Sequence, residues 1–392
     1  MTRRAQVVSS RALRLYRDAF VIDTHNDMPS RMLDDGYDPD MRHPAGFGAT
    51  EGNTDLPRLV ESGMTAEFMS AWVDAPYAAT PGASYARAIR YIAAIHAFTD
   101  RHPDHLLFAT TAADVRRAKR EGKVAILIGV EGGHAIEGSL DRLRDLYAKG
   151  VRYLTLTWNN GLPWAGSSIG AGGTHTGGLS AFGKDVVREM NRLGMLVDLS
   201  HVSDSTFSDA VAVSTAPVIA SHSSARALND VPRNLSDDQL RAIARNGGVV
   251  NVNFFSLFLD SAYRTRVEEI DEQVREARRA AASSPDSADA ESRVRAMRES
   301  MLSAIPPTPF RVLIDHIDHV ARIAGRDHVG LGSDFDGVSA LPEGMEDVTQ
   351  LPRIAQALLD RGYSDQDVQK MLGGNMLRVM TQVFDPHIVA TL

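Results

Sequence analysis

The feature that most constrains this chain is a series of eight short apolar runs, rich in β-branched residues, that end in polar side chains. They are Phe20 to His25, Thr65 to Val73, Lys123 to Glu131, Tyr153 to Trp158, Met195 to His201, Pro217 to His222, Gly247 to Phe255 and His328 to Asp334. Most are apolar on both faces, as parallel strands covered on both sides must be. Helical periods fill the gaps at Ala83 to Phe98, Ala112 to Glu121, Ser139 to Ala148, Phe182 to Leu193, Asp237 to Ala244 and Pro309 to Ala324. Eight strand–helix units are the count of an α/β fold of the (β/α)8 TIM-barrel type. The competing arrangement, an open doubly wound sheet, needs a glycine-rich phosphate turn after an early strand. Gly132 and Gly133 follow a glutamate and lack that spacing.

A barrel accommodates all 392 residues as one domain. One stretch, Ser261 to Pro307, breaks the repeat. It is highly charged and helical in pattern, with a break at Ser283 to Asp289, and it reads as a helical hairpin inserted after strand seven. Near the end, Ser364 with Asp367 three residues on starts a helix, Gln366 to Val379, interrupted by Gly373 and Gly374.

With 42 Lys and Arg against 50 Asp and Glu, the net charge is -8, and no basic stripe with interleaved aromatics exists to track nucleic acid. No segment reaches the roughly 18 apolar residues of a membrane span. Met1 to Phe20 carries arginines but no long apolar core, so a short amphipathic helix is expected there rather than a secretory signal, and the expected location is cytoplasmic.

The chain has no cysteine and 13 histidines, so any metal must be held by nitrogen and oxygen. In a parallel barrel the chemistry sits at the C-terminal strand ends. Here those ends carry His25 and Asp27, Glu131, His201, His222 and Asp334. His25 and Asp27, two apart, project to the same side of an extended segment, as chelation of one ion requires. Imidazole and carboxylate without thiolate suit Zn²⁺ or a similar divalent first-row metal. One catalytic zinc takes three protein ligands, so this set favours two ions. His25 and Asp27 would serve one, His201 and His222 the other, with Glu131 as bridge. Two ions roughly 3.5 to 4 Å apart can share a hydroxide for hydrolysis of amides, esters or phosphoesters. Asp334 is placed to accept the water's proton and return it to the leaving group, unless it is a plain ligand or cap. Asp336, before a glycine, reads as a turn residue.

The stretches Val21 to Asp27, Gly129 to Gly133, Val197 to His201, Ser221 to Ala227, Pro232 to Asn234, Gly332 to Gly337 and Gly373 to Arg378 resemble, in order, the membrane dipeptidase (renal dipeptidase) family of zinc-dependent peptidases. The resemblance implies a barrel with a binuclear zinc site held by the five residues named, Asp334 as proton shuttle, and Arg233 binding the substrate's terminal carboxylate. It further implies cleavage of small dipeptides, some with a D-residue at the C-terminal position, and a homodimer. One position departs. Where the family commonly has histidine in a Thr-His pair, contacting the scissile carbonyl oxygen, this chain has Thr157-Trp158. Tryptophan offers one N–H donor and an apolar face, so it can orient a substrate without replacing a charged imidazole. His175, in the glycine-rich loop 170–178, is the candidate substitute. Trp158 thus keeps open a related amidohydrolase acting on N-acyl amino acids, lactones or another small amide. A third reading is a non-catalytic barrel that binds metal and a small ligand.

Overall fold

The computed structural model describes residues 7–48, 50–170, 177–282 and 287–384. His175 and the first four residues of the 283–289 break lie outside the described residues.

Eight parallel strands form a closed ring: β1 (Ile22–Asn26), β2 (Ala66–Trp72), β3 (Val124–Glu131), β4 (Val151–Thr155), β5 (Leu196–Asp198), β6 (Ile219–Ala220), β7 (Val249–Val252) and β8 (Val329–Leu331). Each pairs with its neighbours in sequence, and β1 closes on β8 through Asp23 and Leu331. A ninth strand, Leu106–Phe108, pairs with the start of β3 outside this ring and is not among the eight runs read from sequence. At three residues it is too short to show a period.

The strands form because their side chains are buried on both faces, and alternate residues face the barrel interior. Ile22, Phe68, Leu127, Tyr153, Leu196, Ile219 and Val249 pack there as one cluster with Met376, Val379 and Met380 of the last helix. Gly129 of β3 makes room for the largest of them. A Cβ at that position would lie 1.9 Å from Cζ of Tyr153, so only glycine lets the tyrosine cross the interior. Outside the ring, helices bury their apolar faces against the strands.

Helix starts follow the side-chain chemistry of their first residues. Ser180 accepts from the Gly183 N–H and Ser203 from Thr206, while Ser236 with Gln239 and Ser364 with Asp367 make reciprocal capping boxes. Each such cap contributes about 1 kcal/mol. The terminal helix is divided into Asp365–Gln369, a π-turn Lys370–Gly374 and Asn375–Phe384. The break has a packing cause, since a Cβ on Gly373 would meet the Phe20 carbonyl at 2.2 Å.

Between β7 and β8 run two long helices, Ser261–Ala282 and Ser287–Ser303. They share a small apolar seam of Ile270, Val274 and Val294, flanked by an Arg298–Asp271 ion pair at 3.0 Å. No helix among the described residues is long and apolar enough to cross a membrane.

Candidate active site

The polar residues at the strand ends converge on one cavity of about 370 Å³, whose walls include Asp27, Glu131, Trp158, His201, His222, Arg233 and Asp334. His25 lies beneath it, fully buried. Strand hydrogen bonding stops earlier than the apolar runs suggest. β5, β6 and β8 end at Asp198, Ala220 and Leu331, so His201, His222 and Asp334 stand two or three residues beyond their strands. His201 (φ 69°) and Asp334 (φ 65°) adopt left-handed backbone, which turns the chain at the rim and aims their side chains inward. Such a conformation is uncommon for a residue with a Cβ and concentrates at functional sites. β1 also departs from regularity, with a register shift between Asp23 and Asn26.

Five side chains are brought within a few ångströms. His25 Nε2 stands 3.3 Å from Asp27 Oδ2 and 3.4 Å from Glu131 Oε2. The other oxygen of Glu131 lies 2.8 Å from His201 Nε2 and 3.6 Å from His222 Nε2. The glutamate therefore presents one oxygen to each histidine set. Donor atoms of His25, Glu131 and His222 all lie within 4.8 Å of one another, as do those of His25, Asp27 and Asp334. His222 therefore adjoins both sets, its ring stacked on that of His25 with centroids 3.9 Å apart.

The outer contacts decide which ring nitrogens carry protons. His201 Nδ1 lies 3.0 Å from Asn159 Oδ1, so it donates and leaves Nε2 as a lone pair. Ser221 Oγ gives its proton to Asp198 Oδ2 at 2.6 Å and so accepts from His222 Nδ1 at 2.8 Å, with the same result. Burial holds both histidines well below the ordinary imidazole range, hence neutral. His25 behaves oppositely. Burial opposes its charge, but Tyr153, Asp27 and Glu131 outweigh burial and raise its pKa. Its Nδ1 meets the Tyr153 hydroxyl at 2.8 Å. Burial pushes Glu131 up to about 7 and Asp334 up to about 6. The lone pairs of His201 and His222 thus face an oxygen of Glu131, and in the same cluster His25 Nε2 and Asp27 Oδ1 are buried without a hydrogen-bond partner among the described residues. An acceptor-rich cluster of this kind fits divalent cations.

Asp334 Oδ2 accepts from Asn253 Nδ2 at 2.7 Å. Arg233 is almost fully buried, donating to Ser223 Oγ at 3.3 Å and the His222 carbonyl at 3.2 Å, with its guanidinium 5.3 Å from the Phe258 ring. Burial lowers its pKa to about 10, so it stays charged at neutral pH. Among the described residues no carboxylate pairs with it, and its Nε has no partner. Asp336 is a turn residue with φ 64° and also part of the cavity wall. It exchanges backbone–side-chain hydrogen bonds with Asn53, at 2.9 Å and 2.8 Å.

Trp72, Asn159, Asn253 and Phe258 escape the sequence reading. Of these only Asn253 had a signal. Asn251 and Asn253 interrupt an apolar run at alternate positions, and a buried carboxamide there needs a partner. Trp72, inside another such run, had none.

A parallel barrel with a buried nitrogen and oxygen cluster at its C-terminal rim is the architecture of a metal-dependent hydrolase. The chain belongs to the membrane dipeptidase family (peptidase family M19), whose model matches residues 9–387. It is therefore a metallopeptidase, a hydrolase acting on peptide bonds. Similar solved structures include the probable dipeptidase PvdM from Pseudomonas aeruginosa, at 26% identity and TM-score 0.80, covering 96% of this chain and 98% of that one. Dipeptidase AC, a metallo peptidase of family M19, has 27% identity, TM-score 0.74 and coverage of 93% and 98%. A metallo peptidase from Rhodobacter sphaeroides, liganded with a phosphinate mimic of the dipeptide L-Ala-D-Ala, has 26% identity, TM-score 0.72 and coverage of 93% and 100%.

Proposed function

We propose that this enzyme hydrolyses small dipeptides, including those with a C-terminal D-residue, with two zinc or similar divalent ions held by His25, Asp27, Glu131, His201 and His222. The observation that carries the reading is the pairing, in one cavity, of that acceptor cluster with a buried guanidinium that lacks a carboxylate partner among the described residues. The Rhodobacter relative, liganded with an L-Ala-D-Ala mimic, supports the D-configured C-terminus.

When bound, the ions supply Lewis acidity and an acidified water. The protein's own groups do the rest. Arg233 grips the substrate's C-terminal carboxylate in a charge-assisted contact. Asp334, fixed by Asn253, takes a proton from the attacking water as its oxygen bonds the carbonyl carbon. It passes that proton to the amine as the C–N bond breaks. Asn159 and Ser221 hold His201 and His222 in the tautomer that leaves Nε2 free.

The test is a pair of measurements. Metal analysis of zinc-reconstituted protein is expected to give two equivalents per chain, and well under one would end the proposal. Arg233→Ala is expected to raise KM for dipeptides while changing turnover of the matching dipeptide amides little. Equal losses on both substrates would remove the carboxylate grip.

A further inference from the structure

Arg233 follows β6 and Trp72 ends β2, and in a ring of eight strands those positions face one another across the mouth. β2 sends alternate residues inward. Ala66 and Phe68 fill the interior, the Ser70 hydroxyl comes 3.5 Å from Glu131 Oε2, and Trp72, in register with Glu131, reaches the rim. Its indole meets that of Trp158 edge-on, with centroids 5.2 Å apart and planes at 70°. Trp158 in turn lies 6.5 Å from the His201 ring. Phe47 and Ile169 continue the cavity wall outward, and although apolar they are 42% and 48% exposed.

The two exposed carboxylates on the β1 side of the same cavity, Asp34 and Asp35, already have partners. Asp34 is held by Arg87 and by the Tyr91 hydroxyl at 2.8 Å, and Asp35 by Arg31 Nε at 2.5 Å. Beyond the buried acceptor cluster, the surface opposite the guanidinium is thus an aromatic and aliphatic wall whose exposed carboxylates, Asp34 and Asp35, are already paired. Apolar area left open at the mouth of a polar site is characteristic of a ligand contact.

Resting on the dipeptidase reading, a substrate gripped at its carboxylate by Arg233, with its peptide bond over the acceptor cluster, lays its N-terminal residue on this wall. We infer that the enzyme selects dipeptides whose N-terminal residue is large and apolar, aromatic or branched aliphatic, with Trp72 and Trp158 as the specificity-determining residues. The cavity of about 370 Å³ has room for such a side chain.

The experiment measures kcat/KM of the metal-loaded enzyme for Gly-Ala, Ala-Ala, Leu-Ala and Phe-Ala, each with L- and D-alanine at the C-terminal position. Values are expected to rise along the series, with Leu-Ala and Phe-Ala at least about tenfold above Gly-Ala. Trp72→Ala and Trp158→Ala are each expected to reduce that ratio several-fold. A ratio is the chosen readout because partial loss of active protein cancels from it. Trp158→His, which keeps a ring but removes most of the apolar face, is expected to reduce it as well. Cleavage of all four at similar kcat/KM would overturn the inference and leave the dipeptidase reading standing. Cleavage of none would overturn both.

Discussion

Nε2 of His201 and Nε2 of His222 stand 2.9 Å apart, and both rings already donate from Nδ1 to other acceptors. Neither nitrogen has a proton to offer the other. Two lone pairs at this distance repel unless a cation lies against them, so the outer contacts that fix the tautomers create the demand for metal.

Breaking one of those contacts gives the first prediction. Ser221→Ala removes the acceptor of His222 Nδ1 without touching a ligand atom. Metal affinity is expected to fall about 10- to 100-fold, the usual consequence of losing a contact that orients a metal-binding histidine. Competition with a chromophoric chelator measures it, and an unchanged affinity would assign the tautomer to something other than Ser221.

Asp334→Asn can keep a contact with Asn253 but cannot accept a proton. The variant is expected to retain its full metal content and lose at least about a hundredfold in kcat, in the range of general acid–base contributions. Rapid turnover by this variant would take Asp334 out of the reaction.

His316 supplies a prediction about pH. It is fully buried, accepting from the Ala225 N–H at 3.1 Å and donating to the Leu259 carbonyl at 3.0 Å, and burial pulls its pKa down to about 4. An unfolded chain binds that proton below about pH 6.5. The stabilising contribution is therefore complete above pH 6.5 and drains away as pH falls toward 4, by on the order of 3 kcal/mol in all. Denaturant unfolding at several pH values checks this. His316→Gln, which does not titrate, is expected to show a shallower decline over the same window, and parallel curves would contradict the assignment.

Gly129→Ala drives a methyl group into the Tyr153 ring. The ring must move, and its hydroxyl then leaves His25. A loss of about 3 kcal/mol is expected from overpacking. Adding Tyr153→Leu to the same chain is expected to recover part of that loss, since the two positions share one space. Additive losses in the double variant would mean that the methyl group is accommodated elsewhere.

The barrel was legible because buried parallel strands must be apolar on both faces, and the runs containing Leu127, Val197 and Val250 could scarcely be anything else. The strand limits were less so. Backbone pairing ends where the chain turns, and the turns at His201 and Asp334 use left-handed backbone at residues that are not glycine, for which composition gives no sign. The residues that could bind metal were readable as chemical types at strand ends. The groups that orient them were not, because Asn159, Ser221 and Asn253 become partners only through contacts between strands distant in sequence. Arg233 was legible by family resemblance alone, since nothing in a Pro-Arg-Asn loop announces a buried guanidinium. Trp72 reads as one more core residue until the ring places it opposite Arg233.

The Asn53–Asp336 exchange joins the loop after the first strand to the loop after the last, beside the backbone contacts of Asp27 N–H with the Phe335 carbonyl at 2.8 Å and Asp334 N–H with the His25 carbonyl at 3.1 Å. The barrel's seam therefore runs through its reaction centre. The same closure that pairs the first strand with the last also sets Asp334 beside His25 and Asp27, so one edge of the cluster exists only because the ring is shut.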